Sequence, residues 1–293
     1  MSFARVGVVT GANKGIGYAT VRQLALQYPK SPFNSGPLLI YLTARDAKRG
    51  ESAMTSLAAD PALRQAKALQ SDGGLTSIQF HSLDIASSSS IATFAQHLAD
   101  AHPDGIDFVI NNAGIAMDGF DLNVVKTTLA CNYYGTLEAT RAFLPLLKKS
   151  DGGRLVNVAS SAGQLNRYSR AIQKRFQSAK SVDDITALME EFTAAVERGT
   201  EKADGWPSAA YATSKAGEIG ATLQIADELK RQHNSKLLVN ACCPGWVATD
   251  MTKGKGYRTP DEGAETPVML AIGDIAGKSG RFWRDEREIS WRG

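Results

Sequence analysis

Tyr211 and Lys215, four residues apart in Tyr211-Ala212-Thr213-Ser214-Lys215, give the first chemical handle on the chain. On a helix that spacing sets a phenol and an ammonium on one face, one turn apart. A tyrosine pKa near ~10 is poorly matched to proton transfer at neutral pH, and lowering it by three units takes about 4 kcal/mol. A cation held about 4 Å away at an effective dielectric of about 20 supplies roughly that much, and Lys215 together with the positive nicotinamide of an oxidised cofactor could suffice. The pair reads as a proton donor with its tuning cation, although Y-x-x-x-K alone also occurs in ordinary helices. A serine doublet, Ser160-Ser161, ends the run Arg154-Leu155-Val156-Asn157-Val158-Ala159. A hydroxyl there can hydrogen-bond a substrate carbonyl oxygen and help its carbon accept hydride. The rival reading of these serines is a hydrolase nucleophile. Against it, Ala159 to Gly163 centres no G-x-S-x-G elbow, and His81, His97, His102 and His233 stand in no supporting motif. Asn132, in Cys131-Asn132-Tyr133-Tyr134-Gly135-Thr136, is a candidate to hold a water linking Lys215 to solvent; taken alone it is an ordinary polar helix residue.

A second group of residues could bind a nucleotide. The run Val6-Gly7-Val8-Val9-Thr10 leads into Gly11-Ala12-Asn13-Lys14-Gly15-Ile16-Gly17 and then a helical pattern. Glycines there allow a tight turn and let backbone N–H groups approach a pyrophosphate at the positive end of the helix. The spacing is G-x-x-x-G-x-G. An NAD site usually carries an acid about 20 residues after the glycines, whereas an NADP site offers cations to the 2′-phosphate. Gly17 to Arg45 is 28 residues, and without the ten-residue loop Tyr28–Pro37 the distance is 18. Arg45 therefore holds the end of the second strand, and Lys14 brings a second cation to the same ribose, which favours NADP+/NADPH. In the alternative, both cations solvate loops and Asp46 binds the ribose. Asp84, followed by Ile85, is placed to accept from the adenine amine. Asn111-Asn112-Ala113-Gly114 ends the fourth strand, where Asn112, Ala113 and Gly114 can lie against the adenine ribose.

The elements that must position these groups alternate. Short β-branched runs are predicted as strands at Val6–Thr10, Leu38–Ala44, Ser77–Ser82, Asp107–Asn111, Arg154–Ser160 and Leu237–Cys242, with a weaker one at Arg281–Trp283. Amphipathic stretches predict helices at Ile16–Gln27, Lys48–Ala58, Ser89–Ala101, Asn123–Lys148 and Ala209–Gln232. This is the pattern of βαβ units on a parallel sheet, an α/β fold of doubly wound, Rossmann type with helices on both faces. The interval 164–207 breaks the alternation. Within it Ser181, with Asp184 three residues on, reads as a helix start and Gly199 as a stop, and Ile185, Leu188, Met189, Phe192, Ala195 and Val196 keep helical spacing. An inserted core-covering helix is expected just before the helix that carries Tyr211. Its polar face has Asp183, Glu190, Glu191 and Glu197, which an anionic membrane would repel.

Length and composition bound the rest. The 293 residues are about twice the ~150 of one typical domain. The site motifs nevertheless run from Gly11 to Thr249, so one Rossmann-type domain over 1–293 is expected, with 164–207 as its helical insertion. No apolar run reaches the ~18 residues of a membrane span. The start Met1-Ser2-Phe3-Ala4-Arg5 leaves no room for a secretory signal, so a cytoplasmic location is expected. Three cysteines, two adjacent at Cys242 and Cys243, build neither a disulfide framework nor a metal site and read as small core residues. The net charge is +3, and the basic clusters at Lys148-Lys149 and Arg281 to Arg292 read as solvated faces, not a nucleic-acid stripe.

With these motifs in place the chain resembles the short-chain dehydrogenase/reductase superfamily, and within it the monomeric NADPH-dependent carbonyl reductases. The likeness runs through T-G-A-N-K-G-I-G at 10–17, T-A-R-D at 43–46, L-D-I at 83–85, N-N-A-G-I-A at 111–116, N-Y-Y-G-T at 132–136, G-W-P-S-A-A-Y at 205–211, N-A-C-C-P-G-W-V at 240–247 and E-G-A-E-T-P-V at 262–268. The resemblance implies a catalytic tetrad of Asn132, Ser161, Tyr211 and Lys215. In it Tyr211 is the proton donor, Ser161 orients the carbonyl and Lys215 holds the nicotinamide ribose. It also implies that Pro244, Gly245, Trp246, Val247 and Thr249 meet the nicotinamide carboxamide and phosphate. Departures are Ala159, Ala248, the loop 28–37 and a shorter run between Gly114 and Asn132. Ile115, Met117, Trp206, Trp246 and Met251, apolar residues near the motif ends, are the candidate walls of a pocket for a bulky hydrophobic substrate, which Ser161 and Tyr211 would also line.

The expected activity is reduction of an aldehyde, ketone or quinone. Two alternatives are the same machinery run backwards as an alcohol dehydrogenase, and a catalytically silent NADPH-sensing scaffold. In the superfamily the helices flanking 164–207 commonly form a subunit interface. The resemblance implies that the inserted helix covers that surface and leaves a monomer.

Overall fold

The run Leu38-Leu39-Ile40-Tyr41-Leu42 lacks polar alternation, as a strand covered on both faces should. In the computed structural model, which describes residues 3–148, 152–232 and 236–293, all of Leu38–Ala44 is buried. Lys149 and His233, with Met1 and Ser2, lie outside the described residues. The strands are β1 (Arg5–Val9), β2 (Leu38–Ala44), β3 (Thr76–Ser82), β4 (Phe108–Asn111), β5 (Arg154–Val158), β6 (Leu238–Cys243), β7 (Phe282–Arg284) and β8 (Arg287–Glu288). They form one sheet in the order β3-β2-β1-β4-β5-β6-β7-β8, parallel throughout except for the closing β7–β8 hairpin. The order reverses between β1 and β4, and at such a switch point the loops leaving the strand ends diverge and open a crevice.

Helices cover both faces, as the alternation predicts. Alternate residues of a strand point to opposite sides. Val8 and Tyr41 join a core with helices α4 (Ser88–Ala101), α5 (Leu122–Leu129), α6 (Thr136–Phe143), α7 (Arg170–Ser178), α8 (Val182–Arg198) and α9 (Ala210–Arg231). Val9 and Ile40 join a second core with α1 (Gly15–Gln27), α2 (Ala47–Ala58), α3 (Pro61–Gln65) and α10 (Pro260–Ile272). Cys242 and Cys243 are buried on opposite faces of β6 as small core residues. No described helix is long and apolar enough to cross a membrane.

The insertion contains the expected helix. In α8 Ser181 accepts from the Asp184 N–H, Asp184 answers on the Ser181 N–H, and Gly199 ends it. Its apolar side packs on α5 and α9. A second helix, α7, precedes it.

The predicted Asn123–Lys148 helix runs without a break over 122–146 but is not uniform: α5 passes at Ala130–Gly135 into a single π-helical turn, α6 follows, and a short 3₁₀ turn at Leu144–Leu146, with Pro145 inside it, ends the segment. The apolar pattern runs unbroken across the extra residue that widens the turn, so periodicity does not register it. The predicted Arg154–Ser160 strand also stops two residues early, at Val158, which releases both serines from the sheet.

The β1–β4 junction leaves no spare volume. A Cβ on Gly7 would fall 2.0 Å from the Phe108 ring of the neighbouring strand. Gly7→Val is therefore expected to lower unfolding free energy by about 1–3 kcal/mol in urea titration; an unchanged midpoint would show that Phe108 has room to move.

Candidate active site

The crevice begins at the turn after β1. Gly11 and Gly15 adopt φ of +63° and +57°, and a Cβ on Gly17 would lie 2.4 Å from Asn112 Nδ2 and 2.5 Å from the Gly11 carbonyl. Only glycine fits that turn. Asn112 Nδ2 donates to the carbonyls of Thr10 (3.0 Å) and Gly11 (3.2 Å), and the N–H groups of Asn112 and Ala113 both donate to Thr10 Oγ1 at 3.0 Å. The β1 and β4 loops are thus stitched into one rim. α1 starts at Gly15 with no side-chain cap, so its first-turn N–H groups keep the positive end of the helix open to an anion. Thr249 faces this turn, its Cγ2 3.4 Å from where a Gly15 Cβ would sit. The cradle fits the pyrophosphate of a dinucleotide.

Other predicted contacts gather round the same crevice. Arg45 is exposed and makes no ion pair among the described residues, whereas Lys14, also exposed, is held 2.6 Å from Asp250. Asn13 and Ile16 are half-buried in the turn. Asp84 accepts the Ala86 N–H at 3.0 Å and Ile85 is buried behind it. Pro244 and Val247 are buried, and the segment Pro244-Gly245-Trp246-Val247 is clamped by Arg258, which reaches the Pro244 carbonyl while its backbone pairs with Trp246 and Ala248.

Tyr211 and Lys215 open α9 as the spacing predicts, with Lys215 Nζ 5.9 Å from the Tyr211 ring centre. The Lys215 side chain is 4% exposed. Its ammonium donates to the Val158 carbonyl at 3.0 Å, at the end of β5, and to Glu218 Oε2 at 2.6 Å. Of the two serines, Ser160 is the one whose hydroxyl bears on the Tyr211 phenol. Ser161 instead accepts from Cys243 Sγ. Because β5 ends at Val158, Ser160 caps the following turn by accepting the Ala162 N–H and stands at the corner beside the phenol. With Lys215 as its cation, the Tyr211 pKa is raised: burial drives it up and Glu218 adds to that, against the pull of Lys215 and the Ser160 hydroxyl. The expected tuning cation is present, but a carboxylate compensates its charge.

Asn132 sits in the π turn and is fully buried. Its Oδ1 accepts the Ile115 N–H at 2.8 Å while its Nδ2 donates to the Ile115 carbonyl at 2.8 Å and to Ser214 Oγ at 3.1 Å. The side chain expected to hold a water is thus engaged in fixing the loop after β4 to α9. A Cβ on Gly114 would lie 3.2 Å from Asn132 Oδ1 and 3.7 Å from Lys215 Nζ, which puts Gly114 at the meeting point of the three.

Among the candidate pocket walls, Ile115 is half-buried, and Met117, Trp246 and Met251 stay exposed around the opening. Trp206 does not belong with them. It is 2% exposed in the core of the insertion, its ring 5.4–6.1 Å from those of Phe192, Phe176 and Tyr168. An apolar residue near a motif end gives no sign of which way it faces, and this one turns inward to seat α7 and α8. Sequence reasoning missed Tyr257, which meets Trp246 edge-on at 6.1 Å, and Glu218. The signal for Glu218 was its place three residues after Lys215, on the same helical face.

Comparison with known proteins agrees with this geometry. The family profile described as short chain dehydrogenase matches residues 42–181 and 198–259. The NADPH carbonyl reductase 1 of Bos taurus is 37% identical over 296 residues, covering 98% of this chain and 98% of its own, and that of Homo sapiens gives the same figures. Among solved structures, salutaridine reductase from Papaver somniferum superposes with a TM-score of 0.79 at 27% identity, covering 95% of this chain and 99% of its own. Menthone neomenthol reductase from Mentha piperita gives 0.74 at 26%, covering 96% and 98%.

The two tryptophans separate packing from the opening. Trp206→Ala is expected to cost about 3–5 kcal/mol of stability, whereas Trp246→Ala, at a residue 52% exposed, should stay within about 0.5 kcal/mol of wild type by denaturant titration. Equal losses would return Trp206 to the pocket.

Proposed function

The chain belongs to the short-chain dehydrogenase/reductase family, and from that premise we propose that it is an NADPH-dependent carbonyl reductase, reducing a hydrophobic aldehyde, ketone or quinone with Tyr211 as proton donor. The observation that carries the reading is one arrangement at the sheet's switch point: a half-buried phenol with the Ser160 hydroxyl and the Lys215 ammonium beside it, next to a glycine turn that fits a pyrophosphate. The full-length likeness to NADPH carbonyl reductases supports it.

Bound NADPH supplies the hydride that the carbonyl carbon accepts. The residues handle the oxygen. Ser160 donates a hydrogen bond to it as negative charge develops, and Tyr211 Oη gives up its proton to it, leaving a phenolate stabilised by the Lys215 ammonium until solvent returns the proton. Lys215, with one N–H left after Val158 and Glu218, would donate to a nicotinamide ribose. Arg45 and Lys14 would meet the 2′-phosphate; for Lys14 this means giving up Asp250. Asn132 keeps the Ile115 loop in register with α9, and Ile115, Met117, Trp246 and Met251 offer apolar surface to the substrate. Reduction calls on Tyr211 as a phenol that gives up its proton, and alcohol oxidation calls on the same oxygen to take one back.

We also read residues 1–293 as one Rossmann-type unit acting as a monomer, since α8 occupies the faces of α5 and α9. A stable dimer in sedimentation would overturn that part.

NADPH consumption against a panel of aldehydes, ketones and quinones tests the activity. Tyr211→Phe should lose about 10²–10⁴-fold in kcat. Ser160→Ala should lose about 10²–10³-fold and Ser161→Ala only a few-fold. Equal turnover by wild type and Tyr211→Phe would remove the proton-donor assignment, and a larger loss at Ser161 would reverse the serine assignment. Arg45→Asp should move preference toward NADH; an unchanged preference would show that Arg45 does not select the phosphate.

A further inference from the structure

Glu218 has no part in the chemistry described so far, yet it lies closer to Lys215 than any other described residue with which that ammonium is bonded. The carboxylate is three residues along α9, its side chain is 2% exposed, and its Oε2 is 2.6 Å from Nζ. A buried carboxylate carries a desolvation cost of several kcal/mol, which only a close partner offsets. Here that partner is the lysine of the proton-donor pair, and its other fixed contact is the Val158 carbonyl.

Resting on the reductase reading above, we propose that Glu218 is a positioning residue for Lys215. Its carboxylate fixes the ammonium against Val158 and cancels much of its field, so that Tyr211 remains the neutral phenol that carbonyl reduction consumes over a wider pH range.

The surroundings leave Glu218 as the group able to do this. Facing the Lys215–Glu218 pair are Tyr211 from α9, Cys131 from the π turn and Cys242 from β6, while Cys243 faces Tyr211 and Cys242. Burial pushes the Cys131 and Cys242 thiols up, which keeps them uncharged. Asp84 and Arg45 lie farther out, facing Cys131. Burial likewise raises the Glu218 carboxyl, up to about 7 against the pull of Lys215. It is therefore ionised across the alkaline range in which Tyr211 would otherwise lose its proton. Lys215 stays charged there, since Glu218 offsets the effect of its burial.

The sign follows from charge. Replacing Glu218 by glutamine keeps the shape and removes the negative charge. Without that charge the Tyr211–Lys215 pair loses its first proton at lower pH, whether from the phenol or from the ammonium. The test is the pH profile of kcat/KM for NADPH-dependent carbonyl reduction in the full chain. For Glu218→Gln the alkaline limb should move down by about one pH unit or more, with activity below the limb retained within about ten-fold. Glu218→Asp keeps the charge and should leave the limb within a few tenths of wild type. Glu218→Met, of similar volume, carries the same expectation as glutamine if that variant does not fold. A residue that only packs would lower kcat or stability in all three and leave the limb in place; an unmoved or upward-shifted limb overturns the proposal. The underlying reading is checked separately by Tyr211→Phe. If that variant matches wild type, the proton-donor assignment fails; if activity depends on Tyr211 and the limb ignores Glu218, only the present proposal fails.

Discussion

Lys215 must keep a full positive charge where water hardly reaches. Its side chain is 4% exposed, and an unpartnered ammonium in such a place would cost several kcal/mol or lose its proton. Two partners resolve this, the Val158 carbonyl at the end of β5 and the Glu218 carboxylate one turn along α9. Both are set by the fold. β5 must stop at Val158 for that carbonyl to face α9, and stopping there also frees Ser160 to turn toward the phenol. The end of one strand therefore fixes the lysine and the serine together.

A second junction ties the cofactor side to this one. The π turn at Ala130–Gly135 points the Asn132 amide at the Ile115 backbone, where it satisfies both the N–H and the carbonyl, and at Ser214 on α9. The loop after β4 is also stitched to the glycine turn through Asn112 and Thr10. A chain of hydrogen bonds thus runs from the turn that fits a pyrophosphate to the helix that bears Tyr211. A regular helical turn would carry Asn132 to a different angle and break that chain, in keeping with the frequency of π turns at functional sites.

The sequence was legible where a motif has one geometric solution. Gly11, Gly15 and Gly17 between a strand and a helix specify a phosphate-binding turn, and Tyr211 with Lys215 specifies one helical face. The capping box of Ser181 and Asp184 marked the inserted helix. What was not legible depended on direction or on a single residue of register. Ser160 and Ser161 differ only in where β5 ends. Trp206 and Trp246 are the same residue type near motif ends, yet one fills the core of the insertion and the other stands in solvent. The π turn is one residue hidden in a continuous apolar pattern. The phenol's environment was legible only in part: the spacing gives Lys215, whereas burial and the Glu218 carboxylate beside that lysine depend on packing.

The central claim is that Tyr211, beside a compensated Lys215, is a neutral phenol ready to donate. ¹³Cζ-tyrosine NMR of the full chain, with Tyr211→Phe identifying the resonance, reads that protonation state directly. Tyr211 is expected to show a phenol shift through neutral pH, with ionisation confined to the alkaline range; a phenolate shift at pH 7 would contradict a neutral donor.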